Sequence, residues 1–247
     1  MMKKNMEGFI DVHNHILPGM DDGAGDMEET RKMLETAYRE GIREMIVTPH
    51  FFASQKNASP EQIKDVLSQV RKKTEEWGIP IKLYPGNEIF YRSGIEELLE
   101  DGQVQTMADS QYVLVEFDPT AEYSYLREGI KKLTSYGYLP IIAHAERYEC
   151  LFREKKRLQR LREHGAYLQM NGDTLLGGMM NEYTRRGRYM IRSELVDFIG
   201  TDAHGSVRRC PRLKKSAAYL YKKLGQEDAE RILFENPRAV IRNEIIE

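Results

Sequence analysis

Short apolar runs alternate along the chain with segments of helical period, and this alternation restricts the folds that the chain can adopt. Each run is rich in Val, Ile, Leu, Phe or Tyr, as buried strands are. Strands separated by helices pair in parallel, with the helices packed outside the sheet. Seven such units, with polar residues at one end of the strands, favour an α/β barrel over an open sheet. The seven runs cover residues 8–12, 44–48, 81–85, 112–117, 139–144, 167–171 and 196–201.

The segments between the runs carry helix starts and stops. Residues 27–41 place apolar side chains on one face and end in a glycine. Residues 59–78 begin with Ser-Pro, a common helix start, and residues 126–137 again end in a glycine. We find no low-complexity linker and no sequence repeat, so the sequence predicts a single domain over residues 1–247.

Histidines and carboxylates stand at the ends of six of the seven predicted strands, and five of the six histidines are among them. The exception is His164, which lies in a helical segment. In a β/α barrel the carboxyl ends of the strands meet at one face, so these side chains are expected to converge there. They are His13 and His15, His50, Glu88, Glu116, His144, and Asp202 with His204.

These residues predict a metal site with more than one ion. A single His-x-His pair such as His13 and His15 is weak evidence, although side chains two apart on a strand point to the same side. Five imidazoles and several carboxylates buried together would leave uncompensated charge without cations between them. So many nitrogen and oxygen ligands suit two or three ions of Mn, Fe or Zn better than Ca. Clustered ions of this kind activate water and clamp phosphate oxygens, so the residues alone indicate metal-dependent phosphoester hydrolysis.

Six segments, in their order and spacing, carry a family resemblance. They read DVHNHILPGMDDGAGD, TPHF, PGNEIFY, VLVEF, PIIAHAERY and GTDAHGSVRRCP. The chain resembles the polymerase-and-histidinol-phosphatase (PHP) superfamily from about residue 9 to the ENPRAVI segment near the C-terminus. Within that superfamily it is most similar to the bacterial capsule and exopolysaccharide tyrosine-protein phosphatases of the CpsB/YwqE type. The resemblance implies a distorted (β/α)7 TIM-like barrel, three metal ions (usually manganese) and hydrolysis of phosphotyrosine. The implied substrate is the C-terminal tail of a bacterial tyrosine kinase that regulates polysaccharide synthesis.

The resemblance also implies a role for individual residues. Arg147 and Arg209 match the two arginines expected to hold phosphate, with Arg208 as the alternative to its neighbour. His204 or Asp202 is expected to relay a proton to the leaving group. The residues matching metal ligands are His13, His15, Asp22, His50, Glu88, Glu116, His144, Asp202 and His204.

Four residues near this set have a structural interpretation. Asp21 belongs to an Asp-Asp-Gly turn signal, and Asn171 matches no ligand. Tyr91 and Tyr148 could shape a phosphotyrosine pocket, but aromatic residues near a strand end more often serve packing.

Several other functions are weighed against this one. Histidinol phosphate hydrolysis and nuclease-type cleavage would use the same ions, and a regulatory protein could bind metal without catalysis. A cysteine-dependent tyrosine phosphatase requires Cys-x5-Arg, but the positions six residues after Cys150 and Cys210 hold Lys156 and Ser216.

The composition narrows the choice of partners and compartment. The net charge of −2 offers no general attraction to nucleic acid, so none is expected as a partner. The longest apolar run is far shorter than the roughly 20 residues of a membrane-spanning helix. The first residues lack the apolar segment of a signal peptide, and two cysteines are too few for a disulfide framework. A cytoplasmic protein without membrane insertion is therefore expected.

Overall fold

The computed structural model describes residues 8–154 and 156–246, in which short parallel strands alternate with helices. No helix of this described part is both long enough and apolar enough to cross a membrane. The strands are β1 (Phe9–Asp11), β2 (Ile42–Ile46), β3 (His50–Phe52), β4 (Lys82–Tyr84), β5 (Glu88–Phe90), β6 (Tyr112–Glu116), β7 (Leu139–Ile142), β8 (Tyr167–Asn171) and β9 (Phe198–Gly200). The α-helices are α1 (Met27–Arg39), α2 (Pro60–Trp77), α3 (Ile95–Glu100), α4 (Tyr123–Ser135), α5 (Glu149–Phe152), α6 (Arg157–Glu163), α7 (Glu182–Arg192), α8 (Lys214–Leu224), α9 (Gln226–Glu230) and α10 (Asn236–Arg242).

The longest helices begin and end at the residues that their sequence signals indicate. The side chain of Asp26 accepts a hydrogen bond from the backbone N–H of Glu29 and caps α1. Ser59 and Gln62 form a reciprocal capping box at the start of α2. The left-handed Gly78 ends the same helix, as glycine does at this position.

The second and third predicted strands are each followed, after a proline, by a further short strand that the sequence did not predict. Pro49 lies between β2 and β3, and Pro85 lies between β4 and β5. Because proline has no N–H to donate, neither strand continues its ladder through this point. Gly86 allows the two breaks to approach, since a Cβ there would lie 3.0 Å from the carbonyl oxygen of Val47. The strands therefore form two parallel sheets, ordered β1-β2-β4 and β3-β5-β6-β7-β8-β9.

The first and last strands meet just beyond their carboxyl ends. Asn14 and Ala203 form an isolated parallel bridge, and the N–H of His15 donates to Ala203 at 2.9 Å. The N–H of Asp202 donates in turn to the carbonyl oxygen of His13 at 2.7 Å. Seven strand units, two of them broken, thus follow one another around a ring. This is the predicted distorted (β/α)7 barrel, with its ladder interrupted where the two sheets separate.

Apolar side chains fill the interior of the ring. Those that pack together from different strand units are Val12, Ile46, Leu114, Ile141 and Phe198. Because they come from separate strands, their contacts require them to meet inside the barrel. The same cluster includes Val240 of α10 and Tyr112, the first residue of β6, so α10 covers the amino ends of the strands. The carboxyl ends remain available for a site.

Candidate metal centre

The carboxyl ends of the strands bring the predicted ligands together. His13 and His15 follow β1, and His50 and Glu88 open the second halves of the two broken strands. These last two residues are direct partners in the pairing of β3 with β5. The proline breaks therefore place an imidazole and a carboxylate side by side at the mouth of the barrel.

Glu88 occupies the centre of the cluster. Its carboxylate is fully buried, and Oε2 lies 3.1 Å from Nε2 of His13 and 3.3 Å from Nε2 of His15. The Nδ1 atom of His50 lies 3.1 Å from the same oxygen. Although three ring nitrogens surround this oxygen, it makes no hydrogen bond within the described part of the chain. A buried carboxylate oxygen in that position is costly unless a cation satisfies it.

The donor atoms have the spacing of ligands that share an ion. Nitrogen and oxygen ligands lie about 2.1 Å from a transition metal, which places neighbouring ligands about 3.0 to 3.4 Å apart. The distances around Glu88 fall in this range, and the two ring nitrogens of His13 and His15 are 3.3 Å apart. The residues present therefore fit a metal ion.

Two further groups of donors overlap with this one. His144 places Nε2 3.0 Å from Oε1 of Glu88 and 3.3 Å from Oε1 of Glu116. Asp22 is largely exposed, but its Oδ1 lies 3.3 Å from Nε2 of His204 and 3.5 Å from Nε2 of His50. The three groups with donors close enough for one ion are His13–His15–Glu88, His50–Glu88–Glu116 and His15–Asp22–His50–His204. Their shared members make the cluster suitable for more than one ion.

Asp202 links the cluster to the two predicted phosphate arginines. Its Oδ1 lies 3.7 Å from Nε2 of His13, so the carboxylate borders the metal residues. Arg147 donates to Oδ2 at 2.7 Å, and Arg209 donates to Oδ1 at 2.6 Å. Both guanidinium groups remain partly exposed, which leaves N–H groups free toward the mouth. Arg208 is exposed and has no ion pair within residues 8–154 and 156–246, so the geometry favours Arg209 of the two neighbours.

The pKa values of the cluster are shifted so that its buried carboxylates stay negatively charged and two of the imidazoles beside them are positively charged. Burial alone would raise the pKa of Glu88, but the surrounding imidazoles hold it well below its usual range. Burial alone would lower the pKa of His15, but the hydrogen bond to Asp21 and the negative charge of Glu88 outweigh burial and raise the pKa to about 10. The pKa of His144 rises to about 9 because its bonds to Glu116 and Glu88 likewise outweigh burial. By contrast, burial and the neighbouring His15 lower the pKa of His204 to about 4. Without metal, protonated imidazoles supply the positive charge that balances these carboxylates; a bound metal ion would displace those protons and supply the charge instead.

Three buried side chains that sequence reasoning did not assign to the site hold the ligands in place. Asp21 accepts from Nδ1 of His15 at 2.6 Å and from the backbone N–H of His50 at 2.9 Å, besides forming the predicted turn. The side-chain oxygen of Gln169 lies 3.2 Å from Nδ1 of His13. Asn171 donates to Oδ2 of Asp202 at 2.8 Å. Gln169 and Asn171 are polar residues within the apolar run 167–171, and this was the only sequence feature that pointed to them.

The two tyrosines near the site belong to the core. Tyr148 is fully buried, and its hydroxyl accepts a hydrogen bond from the N–H of Phe117 at 3.0 Å. Tyr91 is almost fully buried and donates to Glu96 at 2.7 Å. The packing interpretation of both residues therefore agrees with the structure.

The backbone is left-handed at three of the candidate site residues. His144 has φ +34°, Asp202 has φ +50° and Arg209 has φ +48°. Residues other than glycine seldom adopt this conformation, and such residues concentrate at functional sites. The local backbone is therefore strained where it presents the ligands and the arginine.

Comparison with known proteins identifies the family. The family model for capsular polysaccharide synthesis, CpsB/CapC, matches residues 9–242. The chain belongs to the CpsB/CapC family. Among the curated members, the tyrosine-protein phosphatase CpsB of Streptococcus pneumoniae is 31% identical over 243 residues, covering 96% of this chain and 100% of that protein. The tyrosine-protein phosphatase YwqE of Bacillus subtilis is 32% identical over 238 residues, covering 96% and 93% of the two chains.

Solved structures agree with this membership. A crystal structure from a study of YwqE from Bacillus subtilis and CpsB from Streptococcus pneumoniae, described as metal-dependent tyrosine phosphatases, superposes with a TM-score of 0.88. It is 32% identical and covers 96% of each chain. An organophosphorus hydrolase variant from Deinococcus radiodurans gives a TM-score of 0.59 at 13% identity, with 96% of this chain and 93% of that chain covered. The second likeness supports the barrel fold alone.

Proposed function

We propose that this CpsB/CapC-family chain is a metal-dependent protein-tyrosine phosphatase that acts in capsular or exopolysaccharide synthesis. One observation carries the proposal: two arginines share the carboxylate of Asp202, which itself borders the histidine and carboxylate cluster around Glu88. Arginine pairs with two phosphate oxygens at once, so this arrangement suits a phosphomonoester beside metal ions. The names of the curated relatives support phosphotyrosine as the substrate class.

The proposed cofactor is manganese, in two to three ions, with Fe, Co or Zn as metals that the same donors accept. The overlap of three donor groups through His15, His50 and Glu88 supports more than one ion. The proposed ligands are His13, His15, Asp22, His50, Glu88, Glu116, His144, Asp202 and His204.

In the proposed mechanism the chain's own residues bind and orient the phosphate. Arg147 and Arg209 use their free N–H groups to hold nonbridging oxygens, while Asp202 and Asn171 fix the arrangement. When bound, the metal ions lower the pKa of a water molecule and neutralise charge on the phosphate. A phenolate leaving group has a pKa near 10, so it needs little help from a proton donor. His204 or Asp202 is proposed to relay that proton from water to the leaving oxygen, because burial and the neighbouring His15 hold the pKa of His204 at about 4 and leave its imidazole unprotonated at neutral pH.

The proposed partner is a bacterial tyrosine kinase that carries phosphotyrosine on its C-terminal tail. We infer neither nucleic acid binding nor membrane insertion for this chain. We further propose that residues 1–247 act as one domain in the cytoplasm. The match of one family model over residues 9–242 supports the single domain. The free thiols of Cys150 and Cys210 are consistent with a reducing compartment.

Turnover of the purified protein tests the function. It is measured on a phosphotyrosine peptide, a phosphoserine peptide and histidinol phosphate, after chelation and again after Mn²⁺ is restored. We expect Mn²⁺-dependent turnover that is confined to phosphotyrosine. Turnover mainly of histidinol phosphate would keep the metal centre and replace the substrate, whereas metal binding with no turnover of the three would indicate a regulatory binding protein.

A further inference from the structure

We propose that an apolar rim beside the phosphate arginines docks the peptide segment that flanks the phosphotyrosine, with acidic and apolar side chains as its preferred partners. The rim consists of exposed side chains that follow β8 and β9. They are Leu176, Met179, Met180, Tyr183 and Val207. This inference rests on the proposed phosphatase function and adds the site of substrate recognition.

Exposed large apolar side chains are concentrated at this place. Five of the eight such residues in the described part of the chain belong to the rim. Met180 is 93% exposed and Val207 is 83% exposed, so neither contributes to the core. Four of the five lie within the eight residues 176–183, and clustered exposed apolar groups mark interaction surfaces more often than scattered ones do. Methionine adapts its shape to different partners and contacts aromatic rings favourably.

The loop that carries most of the rim is held in place by hydrogen bonds. Arg188 of α7 donates to the carbonyl oxygens of Leu175 at 2.9 Å and Gly177 at 3.0 Å, and it contacts the sulfur of Met179 at 2.9 Å. A Cβ on Gly177 would lie 2.2 Å from Oγ1 of Thr184, so the close approach of loop and helix requires this glycine. The loop therefore presents its methionines to solvent from an anchored backbone.

The start of this loop connects to the candidate site. The loop starts after Asn171, which holds Asp202. Buried Glu146, next to Arg147, accepts from the N–H of Asn171 at 3.1 Å and from Oγ1 of Thr174 at 2.9 Å. A phosphotyrosine side chain is long and rigid, so a phosphate held by Arg147 leaves the peptide backbone at the mouth of the barrel. The rim is the apolar surface available to that backbone and its neighbours.

The charges around the rim favour acidic neighbours. Arg185 and Arg208 are both exposed, and neither forms an ion pair within residues 8–154 and 156–246. Arg185 instead donates to the carbonyl oxygen of Met180 at 3.3 Å, which places its cation beside the rim. Unpaired arginines next to apolar side chains complement a peptide with acidic and apolar residues.

The test compares a peptide substrate with a small one. The variant Met179→Ser/Met180→Ser and the variant Arg185→Ala are assayed with Mn²⁺ on a phosphotyrosine peptide flanked by Glu and Leu, and on p-nitrophenyl phosphate. Ile245→Ser is the matched control, because Ile245 is also exposed but lies at the other end of the barrel. Its neighbour Ile246 accepts a hydrogen bond from Tyr167, which stands at the amino end of β8. We expect the KM for the peptide to rise about tenfold in the methionine variant, as a loss of about 1.4 kcal/mol of binding produces. Turnover of p-nitrophenyl phosphate should stay at the wild-type level in all variants.

Each outcome has one meaning. An unchanged peptide KM in the methionine variant, with wild-type turnover intact, overturns the docking proposal and leaves the phosphatase function standing. Absence of turnover of both substrates by the wild-type protein overturns the function itself. Sedimentation of the wild-type protein and the methionine variant tests for another occupant, because conversion from dimer to monomer would assign the rim to a second copy and overturn the peptide proposal.

Discussion

Replacing Asp21 by asparagine should weaken metal binding although Asp21 belongs to none of the three donor groups. The carboxylate receives Nδ1 of His15 at 2.6 Å and the N–H of His50 at 2.9 Å on the same oxygen, and the N–H of Gly23 at 3.0 Å on the other. Asparagine keeps the shape but offers one acceptor oxygen and no charge. His15 then loses a charge-assisted hydrogen bond that fixes its ring and increases the basicity of Nε2.

The size of this effect follows from the lost interaction. A hydrogen bond to a charged group contributes about 1.5 to 3 kcal/mol. That free energy corresponds to about a 10- to 100-fold weaker affinity for Mn²⁺, which is also the usual effect of changing the partner of a metal-bound histidine. Calorimetric titration of the metal-free protein with Mn²⁺ measures it directly.

The control for this variant is Asp26→Asn. Asp26 is also an acidic residue before α1, but it caps the helix at the N–H of Glu29, and asparagine caps equally well. Its Mn²⁺ affinity should match the wild-type value. An Asp21→Asn protein that is folded by circular dichroism and binds Mn²⁺ as tightly as wild type would refute the reasoning.

Three further predictions concern the arginines, the metal and pH. Arg209→Ala should raise KM for p-nitrophenyl phosphate about tenfold or more through the lost ionic bond to the phosphate, whereas Arg208→Ala should change it by less than about twofold; equal effects in steady-state kinetics would contradict the assignment. Chelation should lower the melting temperature measured by calorimetry, because an ion at about 1,000 times its Kd stabilises the fold by about 4 kcal/mol, and a melting temperature unaffected by chelator would argue against a structural cluster. Burial raises the pKa of Asp197 in the folded state, so its contribution to stability is complete below pH of about 4 and is lost as pH rises through the raised pKa. Urea unfolding at several pH values should therefore show a smaller loss of stability with rising pH in Asp197→Asn, and an identical slope would exclude this contribution.

The strand and helix pattern could be predicted because the local signals agree with the tertiary structure. The predicted helix 59–78 corresponds to α2, Pro60–Trp77, since its capping box and terminal glycine act within one turn. The short strands β3 and β5 were not predicted. They depend on how the chain resumes pairing after Pro49 and Pro85, which is decided by the neighbouring strand and not by local propensity.

The candidate site was likewise predictable in part: its candidate ligands could be identified from the sequence, but the residues that hold them in place could not. The strand-end histidines and carboxylates could be identified because barrel geometry brings those positions together whatever the intervening sequence. The residues that orient them could not. Gln169 lies 156 positions along the chain from His13, and Asn171 lies 31 positions from Asp202, so only the folded structure reveals these pairs. The role of Asp21 in orienting His15 was not predicted, because its Asp-Asp-Gly context already explained it as a turn residue.

The left-handed backbone at His144, Asp202 and Arg209 lowers the stability of the fold, although the same residues are needed at the candidate site. Each of these residues costs about 1 to 2 kcal/mol relative to a glycine in the same conformation. Together they cost about 3 to 6 kcal/mol, a large share of the 5 to 15 kcal/mol that typically separates folded from unfolded domains. A laboratory screen that rewarded heat resistance alone would therefore enrich glycine first at Arg209, the one of the three that is not a proposed metal ligand, and the selected proteins would be stable barrels that bind phosphate less well.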